Sequence, residues 1–150
     1  LEHVCTLVVA EVGDKIELVR DYDPSIPEIN ADSSQLIQAV LNLLRNAVQS
    51  LTERPVESPC ITIRTRTKRQ VTLGSTKHKL VCLIEVIDNG LGIDGAIKKS
   101  MFFPMISGRA DGSGLGLSIS QYIISQHAGL IECRSEPGNT VFSLWLPLYV

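Results

Sequence analysis

Two asparagines are the first residues whose type and spacing could do chemistry. Asn42 and Asn46 stand four positions apart, so in a helix their amides would share one face. An uncharged amide oxygen can supply one ligand to Mg²⁺ while phosphates and water fill the other positions. Taken alone, such a pair is more simply explained as part of a solvated polar stripe.

A carboxylate beside two glycines forms a second cluster, Asp88-Asn89-Gly90-Leu91-Gly92. An aspartate that caps a glycine-rich turn would have this sequence without any further role. Glycines also let the backbone approach a flat ligand, and a carboxylate can accept a hydrogen bond from the exocyclic amine of adenine. Guanine would present a carbonyl oxygen to that carboxylate, so the cluster predicts a preference for ATP over GTP.

A third cluster, Gly112-Ser113-Gly114-Leu115-Gly116-Leu117, precedes a predicted helix. Free backbone amides and the positive end of the helix dipole at such a start can bind phosphate. A Walker loop would need Gly-Lys-Ser/Thr after its glycines, and a dinucleotide fingerprint would need a strand directly before it. Neither pattern is present, so the glycines suit a different nucleotide-binding fold.

A long helix is predicted to carry the two asparagines. The apolar residues of 32–51 recur at helical spacing over many turns. Asp32 can cap the first amides of this helix, and Gln35 stands in the capping-box position.

The third cluster opens a second predicted helix, over residues 115–128. Gly129 is its expected stop, and His127 in its last turn is expected to have a structural role. The residues predicted to turn inward are Leu115, Ile119, Tyr122 and Ile123.

Strands are predicted from alternation and from the positions of turn residues. The segment 15–22 is expected to be an edge strand, because prolines follow it. Two runs joined around Gly74-Ser75 predict a long hairpin with a basic, exposed tip at Lys77, His78 and Lys79. The remaining predicted elements are strands at 61–73, 80–88, 130–135 and 140–148, a short helix at 93–100 and a loop at 101–114.

The element order predicts an α+β two-layer sandwich with a mixed, mostly antiparallel sheet and helices on one face. With 150 residues the chain is expected to form a single domain, 1–150, with an entry element at 1–13. The net charge of −2 without a basic block argues against a nucleic-acid partner, and no long apolar run or signal sequence is found. We therefore expect a cytoplasmic protein with no membrane contact. Four scattered cysteines argue against a zinc site and a disulfide framework. Cys60, Cys82 and Cys133 lie in or beside apolar segments and are expected to be buried, reduced thiols.

Together and in order, the clusters resemble the motifs of the histidine-kinase ATPase domain, in the superfamily of the gyrase, MutL and Hsp90 ATPases. This resemblance implies a Bergerat-type ATP-binding fold. The segments concerned are 41–47 for the N box, 88–93 for the G1 box, 102–104 for the F box, 112–117 for the G2 box, and 138–142 for the closing Gly-x-Thr-x-Phe segment.

The resemblance implies roles for matching residues. Asn46 would coordinate Mg²⁺ beside Asn42, Asp88 would select adenine with Thr140 supporting it through water, and Arg109 could reach the γ-phosphate of ATP. Many relatives carry a Lys where this chain has Gln49, so Arg45 or Arg109 could replace that cation, although Arg45 could equally be a surface charge. The loop 101–114 would form an ATP lid. The other expected nucleotide contacts are Gly90, Gly92, Ile93, Phe102, Gly112, Ser113, Gly114, Leu115, Gly116 and Leu117.

Four segments look especially like those of nitrogen-regulation sensor kinases of bacterial two-component systems, namely 20–27, 45–47, 64–67 and 104–109. The implied partners are the dimerisation and histidine-phosphotransfer domain of the same kinase, a response regulator and a PII-type signal protein. None of the three histidines, His3, His78 and His127, has the setting of the family's phosphoacceptor. Two other functions stay open: a self-sufficient ATPase or serine kinase of the same superfamily, and a nucleotide-binding module that docks a partner.

Overall fold

The computed structural model describes residues 1–93 and 116–148. The predicted strands and both long helices are present, and the entry segment is a helix. The helices are α1 (Glu2–Val12), α2 (Ser33–Glu53) and α3 (Gly116–Gln126), and the strands are β1 (Glu17–Asp21), β2 (Cys60–Leu73), β3 (Thr76–Asp88), β4 (Leu130–Glu136) and β5 (Asn139–Pro147).

The strands form one sheet in the order β1-β2-β3-β5-β4. Strand β1 runs parallel to β2 at one edge, whereas the other neighbouring strands are antiparallel. Alternate strand residues such as Ile63, Val86 and Leu144 form a single core with the helices. The predicted α+β sandwich with a mixed sheet is therefore confirmed, and so is the edge position of the first strand.

The edge strand β1 is held to β2 by ion pairs as well as by backbone pairing. Asp21 accepts hydrogen bonds from Arg64 Nε at 2.8 Å and from Arg66 Nη2 at 2.9 Å. The bond from Arg66, followed by that from Arg64, lowers the pKa of the Asp21 carboxyl. This contact therefore stabilises the fold at pH values above the ordinary aspartate pKa. The stabilisation is lost as the pH falls through the lowered pKa of Asp21.

The start of α2 has the predicted cap but not the predicted capping box. The Asp32 carboxylate accepts from the Gln35 amide at 3.0 Å, which confirms the cap. The Asp32 amide, however, donates to His127 Nε2 at 3.2 Å. Because an amide can only donate, Nε2 carries no proton, and Nδ1 donates to the Ile123 carbonyl at 2.8 Å. His127 thus has the structural role expected of it, as a neutral ring that links the end of α3 to the start of α2.

The predicted inward face of α3 is wrong in two positions. Ile119 is 41% exposed and Tyr122 is 63% exposed, whereas Ile123 is buried as expected. The buried position between them in the helix belongs to Ser120, whose hydroxyl donates to the Ala39 carbonyl of α2 at 3.0 Å. A small side chain with an internal hydrogen bond lets the two helices approach closely. The sequence prediction missed Ser120 because serine is less hydrophobic than isoleucine and tyrosine.

Helix α3 ends before Gly129, as predicted, and the Gly129 amide donates to the Ile124 carbonyl at 2.9 Å. The residue with the left-handed conformation, however, is Ala128, with φ 58°. Glycine is needed at position 129 for a different reason. A Cβ at Gly129 would collide with the Trp145 carbonyl oxygen and would lie 2.9 Å from Ile124 Cγ2. Glycine therefore allows the chain to pass close to β5.

The predicted hairpin forms, but Lys77, His78 and Lys79 do not form its tip. They belong to β3, where His78 is paired with Val71 and Lys77 with Thr72, and the turn consists of Gly74 and Ser75. The two lysines are exposed and His78 is half-buried. The strand extends further because threonine, lysine and histidine can also pair in a two-stranded ribbon.

No disulfide joins the four cysteines, all of which lie in the described part of the chain. Cys5 and Cys82 are buried, but Cys60 and Cys133 are only half-buried, so full burial was predicted wrongly for these two. Burial raises the pKa of the Cys82 thiol to about 11.

The different roles of Ala128 and Gly129 can be separated by mutation. Gly129→Ala should destabilise the domain by about 1–3 kcal/mol, since the new Cβ overpacks against Trp145 and Ile124. Ala128→Gly should leave stability unchanged or raise it slightly, because glycine adopts a positive φ without steric cost. Urea unfolding of both variants measures the difference. A larger loss in Ala128→Gly than in Gly129→Ala would contradict this assignment.

Candidate nucleotide-binding site

Asn42 connects the first and third sequence clusters. Its Nδ2 donates to the Gly116 carbonyl at the start of α3 at 3.1 Å, and its Oδ1 accepts from Gln38 Nε2 at 2.9 Å. Both ends of the amide are therefore engaged. Asn42 of the first cluster therefore contacts Gly116 of the third cluster.

The same helix reaches the second cluster further along. Asn46 is half-buried one turn beyond Asn42. Still further, a Cβ built on Gly90 would lie 3.4 Å from Ser50 Oγ and 3.5 Å from Leu51 Cδ2. Helix α2 therefore spans from Gly116 to Gly90, and the rise from position 42 to position 50 is about 12 Å. That distance suits an extended nucleoside triphosphate with Asn46 near its middle.

Asp88 ends β3 with a nearly inaccessible carboxylate. The residue is only 4% exposed, its Oδ1 accepts from the Gly90 amide at 2.9 Å, and it stands opposite Thr140 of β5. A buried carboxylate is costly unless hydrogen-bond donors surround it. A ligand N–H donor such as the exocyclic amine of adenine suits this carboxylate acceptor. The glycine loop that follows would let the backbone approach such a flat ligand.

Three contacts fix the loop after Asp88. The Asn89 side chain accepts from the Cys60 amide and donates to the Ser58 carbonyl, both at 2.9 Å. At the other strand pair, the Gly138 amide donates to the Gly90 carbonyl at 2.8 Å. The loop is thus held from β2 on one side and from the β4–β5 turn on the other.

Ser135 is a site residue that sequence reasoning missed. Its Oγ accepts from the Ile93 amide at 2.8 Å and lies 2.9 Å from Thr140 Oγ1. Ser135 pairs directly with Thr140 across the β4–β5 hairpin. The strands predicted at 130–135 and 140–148 already placed these two residues at the two ends of one turn, so register counting from Thr140 could have found the contact.

Two polar residues of α2, Arg45 and Gln49, each contact a glutamate on a helix. Arg45 Nη2 lies 3.0 Å from Glu11 Oε1 of α1, in an exposed ion pair. Gln49 Nε2 donates to Glu53 Oε1 at 2.9 Å, one turn further along α2. The geometry agrees with the surface-charge alternative for Arg45, which the sequence had left open.

Of the other predicted residues, Gly92 has a φ of 95°, a conformation that favours glycine, and Leu117 packs against the core. The remaining predictions fall outside the described residues. These are Phe102, Arg109, Gly112, Ser113, Gly114, Leu115, the loop 101–114 and all of the short helix 93–100 except Ile93.

The protein-family model described as histidine kinase-, DNA gyrase B-, and HSP90-like ATPase matches residues 31–150. In the part of the chain that the structure describes, no helix is long and apolar enough to cross a membrane.

Curated relatives include proteins named sensory histidine kinase/phosphatase NtrB. That of Klebsiella oxytoca is 48% identical over 98% of this chain, and that of Rhizobium leguminosarum bv. phaseoli is 34% identical over 98%. The chain spans only 41% and 39% of the length of these two relatives.

Solved structures with the same fold include those of MprB and ShkA. The mycobacterial sensor histidine kinase MprB superposes with a TM-score of 0.75 at 24% identity, covering 98% of this chain and 92% of that one. Full-length ShkA in complex with AMPPNP superposes with a TM-score of 0.78 at 23% identity, covering 99% of this chain and 29% of that one.

The donor role of Asn42 can be tested by a nearly isosteric change. Asn42→Asp keeps an acceptor for Gln38 but places a carboxylate oxygen against the Gly116 carbonyl, where a donor stood. We expect a loss of about 1–3 kcal/mol in unfolding free energy, more than in Asn42→Ala, because an unpaired charge near a carbonyl is costly. Asn30→Asp, at an exposed position, serves as the control and should change little. Equal stability of Asn42→Asp and wild type in urea unfolding would rule out the proposed contact.

Proposed function

The chain belongs to the family of histidine kinase-, DNA gyrase B-, and HSP90-like ATPases, and we propose that it is the ATP-binding catalytic domain of a two-component sensor histidine kinase that acts in nitrogen regulation. In this proposal it donates the γ-phosphoryl group of ATP to a histidine on a separate dimerisation domain. A response regulator then receives the phosphoryl group.

One observation supports the proposed nucleotide site most directly. Helix α2 approaches Gly116 at one position and Gly90 at another, and the buried Asp88 lies two residues before Gly90. Asp88 would accept the amine of adenine, with Thr140 supporting it, while the amides at the start of α3 would face phosphate. Asn46, between these two ends, would give an amide oxygen to Mg²⁺. Mg²⁺ would supply charge neutralisation of the phosphates.

Asn42 favours transfer over hydrolysis. The gyrase-like members of the superfamily carry a glutamate near this position that activates water, whereas an amide cannot accept that proton. In this chain the Asn42 amide also donates to Gly116 and accepts from Gln38. We therefore expect slow ATP hydrolysis, with the phosphoryl group retained for a histidine acceptor.

The phosphoacceptor is proposed to lie elsewhere in the parent protein. Both ring nitrogens of His127 are engaged, by Ile123 and by Asp32. His78 lies in the β2–β3 ribbon, and His3 is exposed on the entry helix. The curated relatives are more than twice as long as this chain, which leaves length for a dimerisation domain.

The proposed partners are those that the resemblance to nitrogen-regulation sensor kinases implies. They are the dimerisation and histidine-phosphotransfer domain, a response regulator and, for nitrogen regulation, a PII-type signal protein. A cytoplasmic location without membrane or nucleic-acid contact is part of the proposal, and it is consistent with the dispersed charges of the sequence.

Base selection by Asp88 can be measured by calorimetric titration with Mg-ATP and Mg-GTP. Wild type should bind ATP and prefer it over GTP. Asp88→Asn should lose about tenfold or more in ATP affinity, because a charge-assisted hydrogen bond of about 1.5–3 kcal/mol is removed. Asp14→Asn, in the exposed turn after α1, should bind as wild type does. Unchanged ATP preference in Asp88→Asn would refute the base-pocket assignment.

Transfer and hydrolysis can be separated by incubating this chain with γ-labelled ATP. We expect little release of phosphate and no stable label on His3, His78 or His127, because none has the setting of an acceptor. Phosphate release is followed over time, and the protein is analysed for acid-labile label. Rapid turnover would instead support a self-sufficient ATPase, and label on any of the three histidines would contradict the proposed division of roles.

A further inference from the structure

Asn89 holds the backbone at the point where β3 leaves the sheet. The last residue pair between β2 and β3 joins Ile61 to Asp88, and one position further the Asn89 amide still donates to the Cys60 carbonyl at 3.3 Å. In a regular antiparallel ladder the Cys60 amide would donate back to the Asn89 carbonyl. It donates instead to the side-chain Oδ1 of Asn89, at 2.9 Å. The side chain thus replaces a backbone acceptor, which frees the backbone to turn away at Gly90.

The other end of the Asn89 amide group contacts the segment 54–59, which joins α2 to β2. Asn89 Nδ2 donates to the Ser58 carbonyl at 2.9 Å. A backbone N–H group can only donate and a backbone carbonyl can only accept, so the two partners together fix one orientation of the Asn89 side chain. An aspartate at this position could accept from the Cys60 amide but could not donate to Ser58.

Ser58 has a backbone conformation that needs support. Its φ is 52°, in the left-handed region that a residue with a Cβ adopts only at a cost. The bond from Asn89 holds its carbonyl in place. The same segment contacts the glycine loop a second time, because Arg54 Nη1 donates to the Gly92 carbonyl at 3.3 Å. The segment 54–59 therefore supports the loop from outside the sheet.

We propose that Asn89 is a positioning residue for base specificity, which aims the Asp88 carboxylate by clamping the next residue of the chain to β2 and to Ser58. The inference rests on the proposed adenine-nucleotide function. Asp88 Oδ1 accepts from the Gly90 amide at 2.9 Å, so the direction of the carboxylate follows the path of residues 88–90. Without the clamp this short turn can shift relative to the sheet, and a hydrogen bond to a ligand weakens steeply when its angle is lost.

A purely structural role of Asn89 would have a different signature. A general loosening of the domain would weaken binding of every nucleotide in the same proportion. A positioning role acts through one contact, so only the part of the affinity that depends on the 6-amino group of adenine should fall. The ratio of two affinities therefore separates the two roles.

The test uses purine riboside triphosphate, which lacks the 6-amino group of ATP. Dissociation constants of the two magnesium complexes are measured calorimetrically on this chain. Wild type should bind ATP about tenfold more tightly than the analogue, because the hydrogen bond from the amine to the Asp88 carboxylate is charge-assisted. Asn89→Ala removes both clamp bonds without adding bulk or charge. It should bind the two nucleotides within about threefold of each other and bind the analogue within about threefold of wild type.

Asn139→Ala is the matched control. Asn139 is an exposed asparagine on the other side of the same loop, next to Gly138, whose amide donates to the Gly90 carbonyl at 2.8 Å. This variant should keep the tenfold ratio.

The outcomes distinguish the levels of the proposal. If wild type does not bind Mg-ATP, the proposed function fails. If wild type binds both nucleotides equally, ATP binding stands, and the contact of Asp88 with the amine is overturned together with the role of Asn89. If wild type discriminates but Asn89→Ala keeps the tenfold ratio, only the role of Asn89 is overturned.

A second variant covers the case in which circular dichroism shows Asn89→Ala to be unfolded. Asn89→Asp keeps an acceptor for the Cys60 amide and loses only the bond to Ser58. Asn139→Asp adds the same charge beside the same loop and serves as its control. A ratio within about threefold in Asn89→Asp, with about tenfold in the control, supports the clamp. A wild-type ratio in Asn89→Asp, or an equal fall in both variants, overturns it.

Discussion

Helix α2 presses an apolar face, including Leu43, Leu44 and Ala47, against the sheet, and this contact fixes the geometry of the whole site. Because the helix is rigid, the separation between its contact with Gly116 and its contact with Gly90 is set by helical rise and not by loop conformation. The amides that would handle metal and phosphate lie on the opposite, polar face of the same element. Burial of the apolar face of α2 therefore also fixes the orientation of its polar face.

The base end of the site is held in place before any ligand arrives. Hydrogen bonds that involve Asn89, Gly138 and Ser135 attach the glycine loop to β2, to the β4–β5 turn and to β4. A loop held in this way loses little conformational entropy when a nucleotide binds, and preorganised polar groups do not need to reorient. The buried carboxylate of Asp88 would then act through a fixed direction, which is the basis of the proposed discrimination between adenine and guanine.

The errors of sequence reasoning share a cause. Ser120 replaces Ile119 and Tyr122 in the helix interface, Gly129 serves close approach to β5, and His127 supplies the bond expected from Gln35. In each case a partner distant in the chain decided the role, namely Ala39, Trp145 or Asp32. Periodicity and capping patterns contain only local information, so they place an element correctly and still misjudge which neighbour it meets.

The sequence by itself determined the fold class, the elements found in the described residues and the segments proposed to form the site, because helical spacing, turn residues and glycine clusters are encoded locally. It also placed Asn42, Asn46 and Asp88 among the residues of interest. Only the tertiary structure decided that Asn42 bonds Gly116, that Arg45 pairs with Glu11, and that Ser135 joins Ile93 to Thr140. These contacts depend on strand register and helix packing, which bring together side chains that no local pattern relates.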